Sequence, residues 1–218
     1  MRNNLVAWTV SEDHFPSFGN IKEKFKFFIR YAILAPSGHN TQPWLFEVHE
    51  ESLNLYADRT RALPVIDPDD KELIISCGAA LTNLIYAMKY FGFEPEIKHF
   101  PVEHDNDLLA TITIKTRDYE PTDDEKTLFK AILKRRTNRL PFAEDVIDGI
   151  TQQRLMTITK EDPDVRFSIV EDNNQREEII KLIEQGDKLQ SQNKSFCREL
   201  AQWVHPNRSN SKDGIPGY

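Results

Sequence analysis

The sequence predicts an α+β fold, because long segments of helical periodicity and short β-rich runs that pair off along the chain occupy separate blocks. Residues 20–34 and 71–90 carry apolar side chains at helical spacing. Residues 44–48 with 52–57, and 93–100 with 108–116, are short runs of β-branched and aromatic residues.

In the first helix Ile21, Phe25, Phe28, Ile29, Ala32 and Ile33 fall on one face, and Pro36 prevents continuation. The runs 44–48 and 52–57 flank Glu50-Glu51 and read as a hairpin. Asp67, Pro68 and Asp69 form a helix start, where carboxylates serve capping and the helix dipole better than acid/base chemistry. The helix that follows stripes Leu73, Ile74, Cys77, Leu81, Leu84, Ile85 and Met88, and Gly92 ends it. Gly78, Ala79 and Ala80 leave a patch poor in side chains. A mid-helix glycine lowers propensity by about 1 kcal/mol relative to alanine, which predicts close approach of another element as compensation. Thr122 with Glu125 makes a capping box for a helix to Leu133. Beyond it the pattern predicts a helix over 147–159, a strand over 166–170, a helical region over 175–204 with breaks near Gly186 and Asn193, and a closing loop. A second half with one strand looks unfinished, which predicts a native chain extending past Tyr218.

The 218 residues, 39% of them hydrophobic, can furnish a sizeable core. A net charge of -7 argues against nucleic acid or anionic membrane as a partner and leaves only local basic clusters as anion sites. Two cysteines, Cys77 and Cys197, in helical stretches point to a reducing compartment, and Cys77 on the apolar stripe reads as buried and inert. With no signal-like N-terminus and no run of about twenty apolar residues, the expected location is cytoplasmic. The six histidines lack metal-ligand spacing, so no metal site is expected.

Two segments carry chemistry. Ala35-Pro36-Ser37-Gly38-His39-Asn40-Thr41-Gln42-Pro43-Trp44 lies between a helix stop and a strand. Its amides, Asn40 and Gln42, offer both donors and acceptors, as the pyrimidine edge of a flavin ring requires, and Gly38 permits close backbone approach. The same run also fits an ordinary polar connection built on Asx-type turns. Lys134-Arg135-Arg136-Thr137-Asn138-Arg139 follows a helix; arginine forks match phosphate oxygens in pairs, and Thr137 adds a hydroxyl. A solvated helix C-terminus explains that run equally simply.

Together the segments form a pattern that neither makes alone. APSGHNTQPW resembles the FMN-contacting segment of the nitroreductase-like flavoproteins, and LKRRTNRLPF resembles their Arg-rich opening segment. The order, arginines after the amide run, resembles the tandem (Acg-like) branch, in which two nitroreductase-like halves are fused and one flavin lies between them. Residues 58–64 (DRTRALP) and 75–81 (ISCGAAL) are similar to that branch as well. The resemblance implies a central, mostly antiparallel sheet flanked by helices, with residues 1–120 as a complete first half and 121–218 as the start of a second. It implies Pro36, Ser37, Gly38, Asn40 and Gln42 at the flavin ring and ribityl side, and Arg135, Arg136, Thr137 and Arg139 toward ribityl and phosphate. It further implies hydride transfer from NADH or NADPH through FMN to a small electron-poor acceptor such as a nitroaromatic or quinone, with no obligatory catalytic side chain. A monomer with an internal pseudo-dimer, or a homodimer, fits that branch, and FMN storage without turnover is the alternative role. Two departures matter: residues 1–20 contain only Arg2, and the second half has no counterpart of PSGHNTQPW, so a symmetric second flavin site is not expected.

Overall fold

The structure is a computed structural model that describes residues 3–138, 140–143, 145–158, 166–206 and 209–217. Its contacts divide the chain into two compact units, Met1–Thr137 with Arg198–Tyr218, and Asn138–Cys197.

In the first unit α1 (Ile21–Ala32) opens on a capping box, Asn20 accepting from the Glu23 amide while Glu23 accepts from the Asn20 amide. A hairpin of β1 (Trp44–Val48) and β2 (Ser52–Ala57) follows, then α2 (Lys71–Tyr90), β3 (Glu94–His99), β4 (Leu108–Thr116) and α3 (Asp123–Ile132). The four strands form one antiparallel sheet in the order β1-β2-β4-β3. Alternation along β2 sends Leu53, Leu55 and Ala57 into the core, as a sheet with one packed face requires. α2 lies against β2, β3 and α1, and α3 lies against α2.

Aromatic side chains fasten the helices to one another. Phe27, Phe28 and Tyr31 of α1 meet Phe91 just past α2, and Phe129 of α3 stacks on Tyr90 with ring centroids 3.9 Å apart. Phe25, Phe28 and Tyr31 are fully buried, so this cluster fixes the end of α1 from which the amide run departs.

α2 starts where its acidic run predicts, through one residue of that run. The buried Asp67 accepts from the Leu73 amide at 2.9 Å, whereas Asp70, left-handed at φ 55°, makes no cap bond and pairs with Arg59. Gly92, at φ +86°, closes the helix. α2 is long and apolar enough by length and hydropathy to cross a membrane, contrary to the expectation from sequence, and its residues Leu73, Cys77, Leu84 and Met88 are buried in the core.

Three further expectations need correction. A Cβ on Gly78 would meet nothing within 4 Å, so no element compensates that glycine within the described structure. Residues 166–170 form no strand and pair with no run among the described residues. The closing residues are not all loop: β5 (Val204–Pro206) and β6 (Ile215–Gly217) pair in parallel.

The second unit contains α4 (Gly149–Ile158) and α5 (Asn173–Gln192), and none of its described residues is buried. α5 runs straight through Gly186, because one glycine costs a twenty-residue helix only about 1 kcal/mol. Asn193 does break the helix, and α6 (Lys194–Trp203) begins there and leads back into the first unit.

Candidate functional site

The amide run leaves α1 at Ala35 and reaches β1 at Trp44 through a tight turn. His39, Asn40 and Gln42 adopt φ of 47°, 54° and 55°, the left-handed region that side chains disfavour by roughly 1–2 kcal/mol each. Three such residues in so short a stretch persist only where surrounding bonds over-determine them. Those bonds are present. Ser37 Oγ accepts from the Gln42 amide at 2.9 Å, Arg61 Nη1 donates to the Thr41 carbonyl at 2.8 Å, and Pro43 O accepts from Asp58 N at 3.0 Å and from Cys77 Sγ at 3.1 Å. Gly38 sits on the first turns of α2, where its amide donates to Ser76 Oγ at 3.4 Å and a Cβ would come within 3.0 Å of Glu72 Oε2. Pro36 is exposed beside it. A shallow cleft next to the turn is lined by Gly38, Thr41, Arg61, Leu63, Asp67 and Ser76.

The two predicted amides are already hydrogen-bonded within the chain. Asn40 Nδ2 donates to Gly214 O at 3.0 Å and Gly214 N returns a bond to Asn40 O at 3.2 Å, while Gln42 Nε2 donates to Lys212 O at 2.6 Å. Asp213 between them accepts from Arg61 Nη1 at 2.9 Å and from Ser211 Oγ at 2.5 Å, with His205 Nε2 at 3.3 Å. Burial raises the Asp213 carboxyl, but the bonds from Ser211, Arg61 and His205 outweigh it and hold the group below its ordinary range. On α6, the buried Glu199 accepts from the amides of Val65 and Ile66 at 2.9 and 3.0 Å.

The arginine segment departs from α3, whose capping box (Thr122 with Glu125) is formed as predicted. Arg135 Nη2 donates to the Leu34 carbonyl at 3.0 Å, which brings it to the root of the amide turn, and Nη1 reaches Thr137 Oγ1 at 3.3 Å. Its Nε is buried with no hydrogen-bond partner. Burial, then the charge of Arg136, makes Arg135 release its proton more readily than a free arginine. Arg135 has no carboxylate partner among the described ion pairs of arginines, which is unusual for a desolvated cation. Both guanidiniums lie over the Trp8 ring, Arg135 at 5.7 Å and Arg136 at 4.0 Å from its centre, and Arg136 also bonds the carbonyls of Leu133 and Arg135. Arg139 falls outside the described residues. Cys77 is fully buried, and burial, reinforced by Asp58, pushes its thiol up to about 12.

Several members of this neighbourhood carry no local signal in the sequence. Trp8, Glu199, Asp213 and Gly214 act through partners far along the chain, and Arg61 was legible only through the resemblance of residues 58–64. Gly214 alone had a readable hint, a glycine after an aspartate where a left-handed φ of +73° proves necessary.

No family model matches the chain. It is 31% identical over 188 residues to a Mycobacterium tuberculosis H37Rv protein provisionally named NAD(P)H nitroreductase acg, an alignment that covers 86% of this chain and 55% of that protein. It is 36% identical over 130 residues to another from the same strain, provisionally named NAD(P)H nitroreductase Rv3131, with 60% of this chain and 36% of that protein covered. The chain thus spans about half the length of the curated relatives it matches. A crystal structure of a nitroreductase family protein from Streptococcus pneumoniae TIGR4 aligns with 54% of this chain and 84% of its own, at 19% identity and a TM-score of 0.35, too loose a likeness to carry weight. The chain is thus similar to proteins provisionally named NAD(P)H nitroreductases, and these relatives support a nitroreductase-like family for it.

Proposed function

We propose that this chain is the flavin-holding part of a nitroreductase-type oxidoreductase, with the amide turn and the arginine segment taking opposite ends of one FMN. The observation that carries the reading is the pairing of a turn held left-handed at Asn40 and Gln42 with a desolvated Arg135 whose Nε lacks a partner. The first supplies donors and acceptors for a heteroaromatic edge; the second is a cation in want of an anion.

In this reading Asn40 and Gln42 bond the pyrimidine edge, and Pro36, Ser37 and Gly38 flank the ring and ribityl chain. Arg135, Arg136, Thr137 and Arg139 serve ribityl and phosphate. Arg136 would leave Trp8 to do so, at a cost of about 0.5–1 kcal/mol for an exposed cation–π contact. FMN held there supplies hydride transfer from NADH or NADPH to an electron-poor acceptor such as a nitroaromatic or quinone. The chain's own part is to orient the ring and to tune it by hydrogen bonds, so no side chain is assigned an acid or base role. Residues 1–120 and 121–218 then represent two fused nitroreductase-like halves of a cytoplasmic protein.

The test is the visible spectrum of the protein reconstituted with FMN, followed by anaerobic addition of NADH and NADPH. A bound yellow flavin that bleaches, and recovers with a nitroaromatic, fits the reductase. A bound flavin that neither donor reduces fits storage, and a protein that stays colourless rejects the proposal.

A further inference from the structure

We propose that Ser211–Gly214 is a competitive strap: while docked it takes the same hydrogen-bonding groups of the amide turn that a ligand would need, so ligand and strap exclude one another. This rests on the reading of the turn as a flavin-edge site. Lys212 O, Gly214 N–H and Gly214 O present an acceptor, a donor and an acceptor to Gln42, the Asn40 carbonyl and the Asn40 side chain. The pyrimidine edge of a flavin offers the same sequence, carbonyl, N–H, carbonyl. Each amide N–H makes one strong bond at a time, so the two occupants cannot share the donors. The cleft beside the turn, at about 200 Å³ with its open mouth included, is below the ~300 Å³ at which small-molecule sites begin.

The strap is built to dock and placed to leave. Its geometry needs Gly214: at φ +73°, a Cβ there would lie 2.4 Å from the His205 ring and 2.5 Å from the Trp203 carbonyl. Asp213 clips it to Arg61 at 2.9 Å. These contacts are polar and partly exposed, and therefore individually weak. The stronger anchor is Glu199 on the Val65 and Ile66 amides, which lies outside the strap and would keep its base attached when it swings away.

The test uses the full chain as wild type and as Asp213→Asn and Gly214→Ala, with circular dichroism confirming that each is folded. FMN is titrated into all three, and amide hydrogen exchange is followed by mass spectrometry across residues 209–217. Opening the strap raises the fraction of competent sites, so both variants should bind FMN about three- to tenfold more tightly. FMN should also speed exchange at Gly214 in the wild type. Equal or weaker binding by the variants, or slower exchange with FMN, would overturn the competition and make the strap part of the bound site, leaving the flavin reading intact. Failure of all three proteins to bind FMN would instead reject the flavin reading, and the strap's competitive role with it.

Discussion

The amide turn and the arginine segment meet at Leu34, yet they are stabilised in opposite ways. Around the turn, Ser37, Asn40, Thr41 and Gln42 all have protein partners, and even the disfavoured backbone of Asn40 and Gln42 is held by bonds from Ser37, Arg61 and Gly214. In the arginine segment Arg135 has lost water at Nε without gaining a partner, and Arg136 rests on an aromatic ring. A fully partnered turn folds for its own sake. An under-partnered cation carries a desolvation cost that an anionic ligand would offset. Substitutions in the turn should therefore be felt first in stability, and those in the arginine segment first in binding.

The largest effect expected is on affinity. Arg135→Ala should weaken FMN by about 1.5–3 kcal/mol, the range for a hydrogen bond to a charged group, while the urea midpoint of the apoprotein hardly moves. A variant that binds normally but unfolds early would reverse the comparison. Next, Asn40→Ala removes the bond to Gly214 and puts alanine in a left-handed conformation, and should cost about 1–2 kcal/mol of unfolding free energy in the same titration. No change in midpoint would mean that the turn's bonds do not hold it.

A third effect separates the regions by pH. Burial raises the Glu125 carboxyl, but Lys89, the Thr122 amide and Tyr119 outweigh it and bring it from 4.5 to about 2. A carboxyl depressed in the folded state contributes stability that is present above its unfolded value and is lost as pH falls through its folded one. The α3 capping box should thus loosen between pH 4.5 and about 2, and helical ellipticity in thermal melts should show it. Glu125→Gln should flatten that dependence; an unaltered acid limb would contradict the assignment. The smallest effect is that of Trp8→Leu, which removes the ring beneath Arg136 and should cost about 0.5–1 kcal/mol. If it instead improves FMN binding, Arg136 is being withheld from the ligand by Trp8.

Legibility in the sequence followed the range of the forces involved. β1, β2, β4 and α2 lie where alternation and apolar stripes predict them, because burial against one face leaves a local period. The α3 capping box was readable as well, since its partners are three residues apart, whereas the Asn20–Glu23 box of α1 was seen only in the structure. The strap was not: Asn40 and Gly214, or Gln42 and Lys212, are polar residues in loop-like stretches whose pairing is decided only by the tertiary fold. Glu199 reads as a surface carboxylate on an amphipathic helix and is in fact buried on two backbone amides. Residues 166–170 alternate like a strand but have no neighbour to pair with among the described residues, and Gly186 is too mild a breaker to interrupt α5.

The most direct measurement compares FMN with riboflavin, which lacks the phosphate, on the wild type, Asn40→Ala and Arg135→Ala. If one flavin spans both segments, FMN binds the wild type more tightly than riboflavin, Arg135→Ala removes that difference, and Asn40→Ala preserves it. Equal affinities of the wild type for FMN and riboflavin would contradict the account, for the arginine segment would then hold no phosphate.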